Sequence, residues 1–314
     1  MNSPIPLITN FNTREQTRYL SLLRQSLPNE KIVDGATLSD SEKPKCELAI
    51  VANPDKNALA SYTSLKWVHS LWAGIEGLLR DTANSGLKIV RLIDPTLAEV
   101  MSESVLTWTL FLHRNMHIYA KQQSDRNWQS IAHCLAKNRT VGVLGLGELG
   151  KSSALRLADN GFKVLGWSRT QQSIANIGCL SGESGLNTLL KQSHIIICLL
   201  PLTKETFHLL NADRLSMPAQ SSTLINFSRG AVVDTQALIS ALNKDKLAYA
   251  VLDVFEQEPL PPSSELWMHP KVTVLPHISA PTLPESACEI VAKNIRAYRQ
   301  DGTLPSYVDI TKGY

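Results

Sequence analysis

The stretch Thr140-Val-Gly-Val-Leu-Gly145-Leu-Gly147-Glu148-Leu149-Gly150 carries the strongest structural signal in the chain. A β-rich run over residues 141–144 ends in glycines spaced G-x-G-x-x-G, and a helical pattern follows. In such a unit the first glycine permits a tight turn, the second lets the backbone approach a pyrophosphate, and the third lets the helix pack closely on the sheet. The spacing therefore predicts a dinucleotide site that includes Gly145, Gly147, Glu148 and Leu149.

Further β-rich runs alternate with helical patterns on both sides of this stretch. They cover residues 4–9, 31–33, 48–52, 65–71 and 88–93 before it, and 163–167, 195–200, 223–227, 248–254 and 272–275 after it. Strands that alternate with helices form parallel sheets, and near-continuous Val/Ile/Leu runs indicate sheets that are covered on both faces. The predicted fold class is α/β, with two Rossmann-like, doubly wound parallel-sheet domains.

Two helical patterns place the predicted domain boundaries. One runs over residues 98–121, between the two groups of strands. The other begins near Thr282 and Glu285, which have capping-box spacing, with Pro284 in the first turn. We expect this last helix to pack back on the first domain. The prediction is a discontinuous substrate domain, residues 1–98 plus 284–314, acting as a lid, and a dinucleotide-binding domain, residues 99–283.

Composition excludes several classes of protein. The 314 residues are 43% hydrophobic and 19% charged, and 31 basic against 28 acidic residues give a net charge of +3. No Lys/Arg cluster favours nucleic acid or an anionic membrane, and the longest apolar run, residues 195–200, is far short of the ~18 that a membrane span needs. Five dispersed cysteines predict reduced thiols and a cytoplasmic protein.

No metal site is predicted. His113 and His117 are four residues apart on a helical pattern, but no third ligand accompanies them. We expect them to lie on a solvated or interfacial helix face.

The residues after the second strand of the dinucleotide domain predict the cofactor's identity. NAD enzymes usually place Asp or Glu there to bind the ribose 2′-hydroxyl, but this chain has Trp167-Ser168-Arg169-Thr170. An arginine flanked by two hydroxyls suits a 2′-phosphate, and a charge-assisted hydrogen bond favours NADP(H) over NAD(H) by about one to two orders of magnitude. The alternative is that Arg169 is a solvated surface charge.

The remaining strand ends of this domain carry polar and charged groups. Ligands of an open α/β sheet collect beyond the carboxyl ends of its strands. Those ends present Leu200-Pro201, Ser228-Arg229-Gly230, Asp253 followed by Glu258, and Pro276-His277. Beside a nicotinamide, Arg229 would hold a carboxylate or polarise a keto oxygen. A protonated His277 would supply the proton, and Glu258 would orient the imidazole and favour its charged form.

Several of these segments resemble the signature of the D-isomer-specific 2-hydroxyacid dehydrogenases. They are Ile225-Asn226-Phe227-Ser228-Arg229-Gly230, Leu252-Asp253-Val254-Phe255, Glu258-Pro259-Leu260-Pro261, Leu266-Trp267 and Pro276-His277. Within that family the run 167–170 and the ending Lys312-Gly313-Tyr314 are similar to the glyoxylate/hydroxypyruvate reductase A group. The resemblance implies Arg229, Glu258 and His277 as the catalytic set, a homodimer, and reduction of glyoxylate or hydroxypyruvate with NADPH.

The resemblance also implies a substrate loop. Family members have a Gly-Ala-Gly-Val-Asp type loop whose backbone N–H groups bind the substrate carboxylate, and the matching stretch here is Trp72-Ala73-Gly74-Ile75-Glu76. Ala73, Gly74 and Ile75 are the expected contacts. We expect Trp72, at a position where glycine is usual, to narrow the pocket and favour a small substrate.

Other residues keep two interpretations. Asp253, as a family position, would face the nicotinamide amide, or it would satisfy loop amides. Asp234 is predicted to cap a helix, Cys198 to fill the core, and Trp128 to belong to a dimer arm or to pin a loop.

Two rival functions stay open from sequence. One is NAD-dependent D-2-hydroxyacid oxidation of the 3-phosphoglycerate type, which the predicted 2′-phosphate pocket and the absence of a regulatory extension disfavour. The other is a non-catalytic, dinucleotide-sensing protein like the co-repressor relatives of this fold.

Overall fold

The computed structural model describes residues 3–82 and 85–308. Lys312-Gly313-Tyr314 therefore lies outside the described residues. The chain divides into two compact units, one formed by Met1–Thr96 with Thr282–Tyr314 and the other by Leu97–Pro281. In the described part of the chain, no helix has the length and apolar character needed to cross a membrane.

The secondary structure alternates throughout between strands and helices. The strands are β1 (Ile5–Thr9), β2 (Ile32–Asp34), β3 (Leu48–Ala52), β4 (Trp67–Ser70), β5 (Lys88–Val90), β6 (Thr140–Leu144), β7 (Lys163–Ser168), β8 (Gly178–Ser181), β9 (Ile195–Cys198), β10 (Thr223–Asn226), β11 (Tyr249–Leu252) and β12 (Val272–Val274). The α-helices are α1 (Thr13–Ser26), α2 (Glu76–Thr82), α3 (Pro95–His113), α4 (Met116–Ser124), α5 (Glu148–Asp159), α6 (Gly182–Gln192), α7 (Ala212–Leu215), α8 (Thr235–Asn243) and α9 (Pro284–Asp301). Short 3-10 turns cover Gly35–Thr37, Lys43–Lys45, Ala136–Asn138, Gly230–Val232 and Glu265–Trp267.

The sheet of the first unit has the order β2-β1-β3-β4-β5, and its strand pairs are parallel. Consecutive residues of β3 face opposite sides of the sheet, so that Leu48 and Ile50 join one buried cluster while Ala49 and Val51 join another. Helices α1 and α9 pack on the first of these faces through Leu23 and other buried side chains. The order is that of flavodoxin-like doubly wound folds.

The sheet of the second unit has the order β12-β11-β10-β9-β6-β7-β8, again with parallel pairs. Strand order reverses between β6 and β9, which makes their carboxyl ends the switch point where ligands of such sheets bind. Buried residues on both faces, Leu144 on one and Val143 on the other, explain the continuous apolar runs. The predicted α/β class, with two doubly wound parallel sheets, is confirmed.

Three local features differ from the sequence-based expectations. The helical pattern of residues 98–121 is broken between α3 and α4, because Asn115 adopts a left-handed conformation with φ +56°. The capping box at Thr282 and Glu285 does not form, since Leu283 is the N-cap and Pro284 the first helical residue of α9. The edge strand β8 was not among the predicted strands, because it has no continuous apolar run. One of its residues is exposed and the rest are half-buried.

Candidate active site

The glycine loop joins β6 to α5. Gly145 has φ +100°, a conformation that favours glycine, and its N–H donates to Trp167 O at 2.8 Å. A Cβ on Gly150 would collide with Gly145 O, whereas a Cβ on Gly147 would meet nothing within 4 Å. The loop thus packs tightly against its own helix and leaves the N-cap at Gly147 open. Such a turn presents the first N–H groups of α5, the usual binding site of a pyrophosphate.

The predicted 2′-phosphate segment follows β7. Ser168 Oγ donates to Thr170 O at 2.7 Å, which ties the segment into a turn, and Arg169 is exposed there. The pKa of Glu205 is below its ordinary value, mainly because Thr203 Oγ1 donates to its carboxylate at 2.8 Å and partly because of the charge on Arg169. The loop that begins with Leu200 and Pro201 therefore brings a carboxylate near Arg169.

The end of β10 positions Arg229 through its neighbours. Asn226 is buried; its Oδ1 accepts from Ser228 N at 3.2 Å and from Ser228 Oγ at 2.8 Å, while its Nδ2 donates to Arg229 O at 3.1 Å. The guanidinium of Arg229 donates to Ser228 O at 2.7 Å. A Cβ on Gly230 would collide with Phe255, so the turn passes directly against the loop that carries Glu258. Asn226 is a positioning residue that the sequence interpretation did not single out.

Glu258 and His277 form a direct pair. His277 Nδ1 lies 2.7 Å from Glu258 Oε2, and Glu258 Oε1 accepts from Phe255 N at 2.9 Å. The side chain of His277 is 54% exposed and that of Glu258 is 35% exposed. The carboxylate is thus fixed at both oxygens, and about half of the His277 side chain stays exposed.

Electrostatics favour the charged form of both partners. The hydrogen bond with Glu258 raises the pKa of His277; burial opposes this, the charges of Glu258 and Asp253 add to it, and that of Arg229 subtracts. Burial raises the pKa of Glu258, but the hydrogen bonds from His277 and Phe255 and the positive charges of His277 and Arg229 together bring it below its ordinary value. The three predicted groups therefore share one electrostatic environment.

Asp253 holds the backbone that follows His277. It is fully buried, with Oδ1 accepting from Ile278 N at 2.7 Å and Oδ2 accepting from Ser279 N at 2.9 Å. His277 itself has φ +56°, a conformation that is costly for a residue with a Cβ. Of the two interpretations left open from sequence, the structure shows the loop-amide contacts.

The predicted substrate loop belongs to the first unit. Ala73, Gly74 and Ile75 connect β4 to α2; Ile75 is buried and the other two are half-buried. The indole of Trp72 packs against Phe11 and Tyr19, with ring centroids 5.8 and 6.3 Å apart. These contacts add to the core of this unit, so Trp72 supports the loop through packing. The sequence-based expectation considered only a narrowed pocket and did not include this packing role.

Other predicted residues have mixed outcomes. Asp234 caps α8, accepting from Ala237 N at 3.0 Å, and Cys198 is fully buried, as predicted. His113, expected on a solvated or interfacial helix face, is only 5% exposed and packs edge-on against Phe162, so its face is packed and not solvated. Trp128 is fully exposed, so it does not pin a loop among the residues that the structure describes.

The family model "D-isomer specific 2-hydroxyacid dehydrogenase, NAD binding domain" matches residues 106–279. A glyoxylate/hydroxypyruvate reductase A of Yersinia enterocolitica is 35% identical over 96% of this chain and 97% of its own length. The chain belongs to the D-isomer-specific 2-hydroxyacid dehydrogenases. It is an oxidoreductase of that family.

Solved structures of the family agree over the whole chain. A family member from Xanthobacter autotrophicus Py2, in complex with NADPH and MES, superposes with a TM-score of 0.92 at 33% identity, covering 100% of both chains. An NADPH-dependent glyoxylate/hydroxypyruvate reductase from Sinorhizobium meliloti, with NADP and sulfate, has a TM-score of 0.89 at 29% identity, covering 99% of this chain and 100% of its own.

Proposed function

We propose that this dehydrogenase uses NADPH to reduce a small 2-keto acid, glyoxylate or hydroxypyruvate, to the 2-hydroxy acid. The observation that carries the proposal is the 2.7 Å contact between His277 Nδ1 and Glu258 Oε2, with the pKa of His277 raised. This pair raises the pKa of the ring and so favours its protonated form. A reductase needs such a proton donor, because reduction of a keto group adds one hydride and one proton.

The residues present fit a nicotinamide dinucleotide. Gly147 leaves the start of α5 unobstructed, and the tight approach of Gly150 to Gly145 O fixes the turn. When bound, the reduced cofactor supplies the hydride to the keto carbon. Gly145, Gly147, Glu148 and Leu149 would hold the pyrophosphate, Leu200 and Pro201 would line the site, and Ser168, Arg169 and Thr170 would hold the 2′-phosphate.

The other groups have defined tasks in this scheme. Glu258 engages Nδ1 of His277, which leaves Nε2 to give its proton to the keto oxygen. Arg229 binds the substrate carboxylate or polarises the keto oxygen through its planar fork. Asp253 holds residues 278 and 279, and so the strained backbone of His277. In this proposal the unit of residues 97–281 carries the cofactor-binding and catalytic residues. The backbone N–H groups of Ala73, Gly74 and Ile75 are the proposed contacts of the substrate carboxylate.

The proposal includes a homodimer. Large apolar side chains are exposed along α3, α4 and the following segment, namely Leu110, Met116, Ile118, Trp128 and Leu135. A second copy of the chain would cover them. Sedimentation velocity should find a particle of twice the chain mass, and a Trp128→Asp variant should shift the population toward the monomer.

The activity test follows the absorbance of NADPH with glyoxylate, hydroxypyruvate and pyruvate. We expect turnover with a small 2-keto acid. Flat traces with all three acids, in a protein that still binds NADPH, would instead indicate a nucleotide-sensing protein.

The cofactor test uses Arg169→Ala. We expect the KM for NADPH to rise by about ten- to a hundredfold and the KM for NADH to stay constant, because a charge-assisted hydrogen bond to the 2′-phosphate is lost. Arg156→Ala, which removes a hydrogen bond to Ser102 in the same unit, is the matched control. Unchanged KM values for both cofactors would reject the 2′-phosphate site.

A further inference from the structure

A fully buried histidine lies three positions before Trp72, the first residue of the predicted substrate loop. His69 is in β4, with no exposed surface, and His69 Nδ1 is 2.8 Å from Ser70 O. Its other ring nitrogen, Nε2, is 2.8 Å from Asn294 Nδ2 of α9. Nothing in the proposed chemistry uses this residue.

The partners fix the protonation of the ring. A carbonyl oxygen only accepts, so Nδ1 of His69 carries the proton and donates to Ser70 O. Nε2 of the neutral ring then accepts from the Asn294 amide. Burial supports this neutral form, since it lowers the pKa of His69 to about 4.

The contacts continue into the loop. Ser70 Oγ accepts from Trp72 N at 3.0 Å, and Trp72 O accepts from Leu92 N at 3.1 Å. The Trp72 indole packs on Phe11 and Tyr19. A connected set of contacts therefore runs from α9 through His69 and Ser70 to the residue that precedes Ala73.

We propose that His69 and Asn294 are positioning residues that hold the substrate loop in the geometry in which its backbone N–H groups receive the substrate carboxylate. This inference rests on the proposed function, because it takes residues 73–75 as the carboxylate site. Neither side chain touches the reacting atoms. Both act by fixing the backbone of Ser70 and Trp72, and through it the three residues that follow.

The kinetic consequence is specific. A loop that binds the carboxylate contacts a group that is unchanged by the reaction, so its loosening weakens ground state and transition state alike. Such a loss raises KM and leaves kcat constant. A general loss of folding would instead lower the fraction of active enzyme and appear as a lower kcat.

The test measures kcat and KM for the preferred 2-keto acid, KM for NADPH, and the melting temperature. Asn294→Leu and His69→Gln should raise the keto-acid KM by about five- to tenfold, with kcat and the NADPH KM within about twofold of wild type. His69→Asn, whose amide can replace Nδ1 as donor to Ser70 O, should recover part of the loss. Arg296→Ala, which removes a hydrogen bond to Ser26 O from the same helix, should leave the keto-acid KM unchanged.

Ser70→Ala keeps the test decisive if the His69 variants do not fold. It removes only the acceptor of Trp72 N, and it should raise the keto-acid KM by about three- to fivefold. An unchanged keto-acid KM in folded Asn294→Leu and Ser70→Ala proteins would overturn the inference while leaving the proposed function intact. Absence of turnover in the wild-type protein would overturn the proposed function, and this inference with it.

Discussion

His277 and His69 are held by similar contacts and have opposite properties. In each ring one nitrogen lies within 2.8 Å of a polar side chain, a carboxylate for His277 and an amide for His69. The hydrogen bond with Glu258 is the largest cause that raises the pKa of His277, whereas burial lowers that of His69 to about 4.

The difference shows that partner charge and burial assign the role of a histidine. A carboxylate beside a half-exposed ring favours the charged form, which can give a proton. A buried ring beside an amide stays neutral and can serve as a fixed connector.

The largest expected effect is on kcat, for which only His277 of the two histidines is the proposed proton donor. His277→Ala should lower kcat by about 10²- to 10⁴-fold, because it removes the proton donor. Steady-state NADPH oxidation at saturating keto acid measures it, and His269→Ala, a histidine variant in the same unit, should retain wild-type kcat. A His277→Ala enzyme with near-normal kcat would show that the two histidines do not differ in this way.

The next largest effect is expected from removing the Glu258 charge, which lies beside His277 and has no counterpart among the described residues beside His69. Glu258→Gln should lower kcat at neutral pH by about tenfold, because it removes the largest cause that raises the pKa of His277. The active, protonated form is present below that pKa and is lost as pH rises through it. The alkaline limb of the kcat profile should therefore move to lower pH.

The control for that profile is Glu256→Gln. Glu256 lies two residues before Glu258, and its Oε1 is 3.4 Å from His208 Nε2. Its substitution should therefore leave the alkaline limb of the kcat profile unchanged. If the alkaline limbs of the kcat profiles coincide in wild type and Glu258→Gln, the Glu258 carboxylate does not set the pKa of the proton donor.

Sequence revealed the two kinds of site to very different degrees. The proximity of His277, Glu258 and Arg229 could be predicted because each follows a strand of one parallel sheet, and the carboxyl ends of such strands meet at one edge. His69 could not, because a histidine within Trp67-Val68-His69-Ser70 has no pattern of its own. Its partner Asn294 lies 225 residues away in the chain. Only the packing of α9 on β4 brings them together.

The fold shows the same division. Strands with continuous apolar runs, such as β9 and β10, were predictable because burial on both faces demands them. The break at Asn115 was not, because a single left-handed residue leaves the apolar stripe of the flanking helices almost unchanged.

The last prediction concerns the free energy of unfolding. The neutral His69 of the folded state has a pKa of about 4, below the ordinary 6.5, so the unfolded chain binds more protons between these values. Stability should fall as pH drops from 7 to 4.5, and His69 should account for about 2 to 3 kcal/mol of that fall. Urea unfolding at both pH values should show a correspondingly smaller fall in His69→Gln. An equal fall in both proteins would mean that the ring is not held neutral.

The central claim is that one carboxylate makes His277 the proton donor, and an NMR titration of the histidine ring protons tests it most directly. With signals assigned from His277→Gln and His69→Gln, the wild-type spectrum should show His277 titrating above 6.5 and His69 near 4. In the Glu258→Gln variant, the pKa of His277 should fall and that of His69 should stay unchanged. A His277 signal that titrates at or below 6.5 in the wild type, and does not move in Glu258→Gln, would contradict the account.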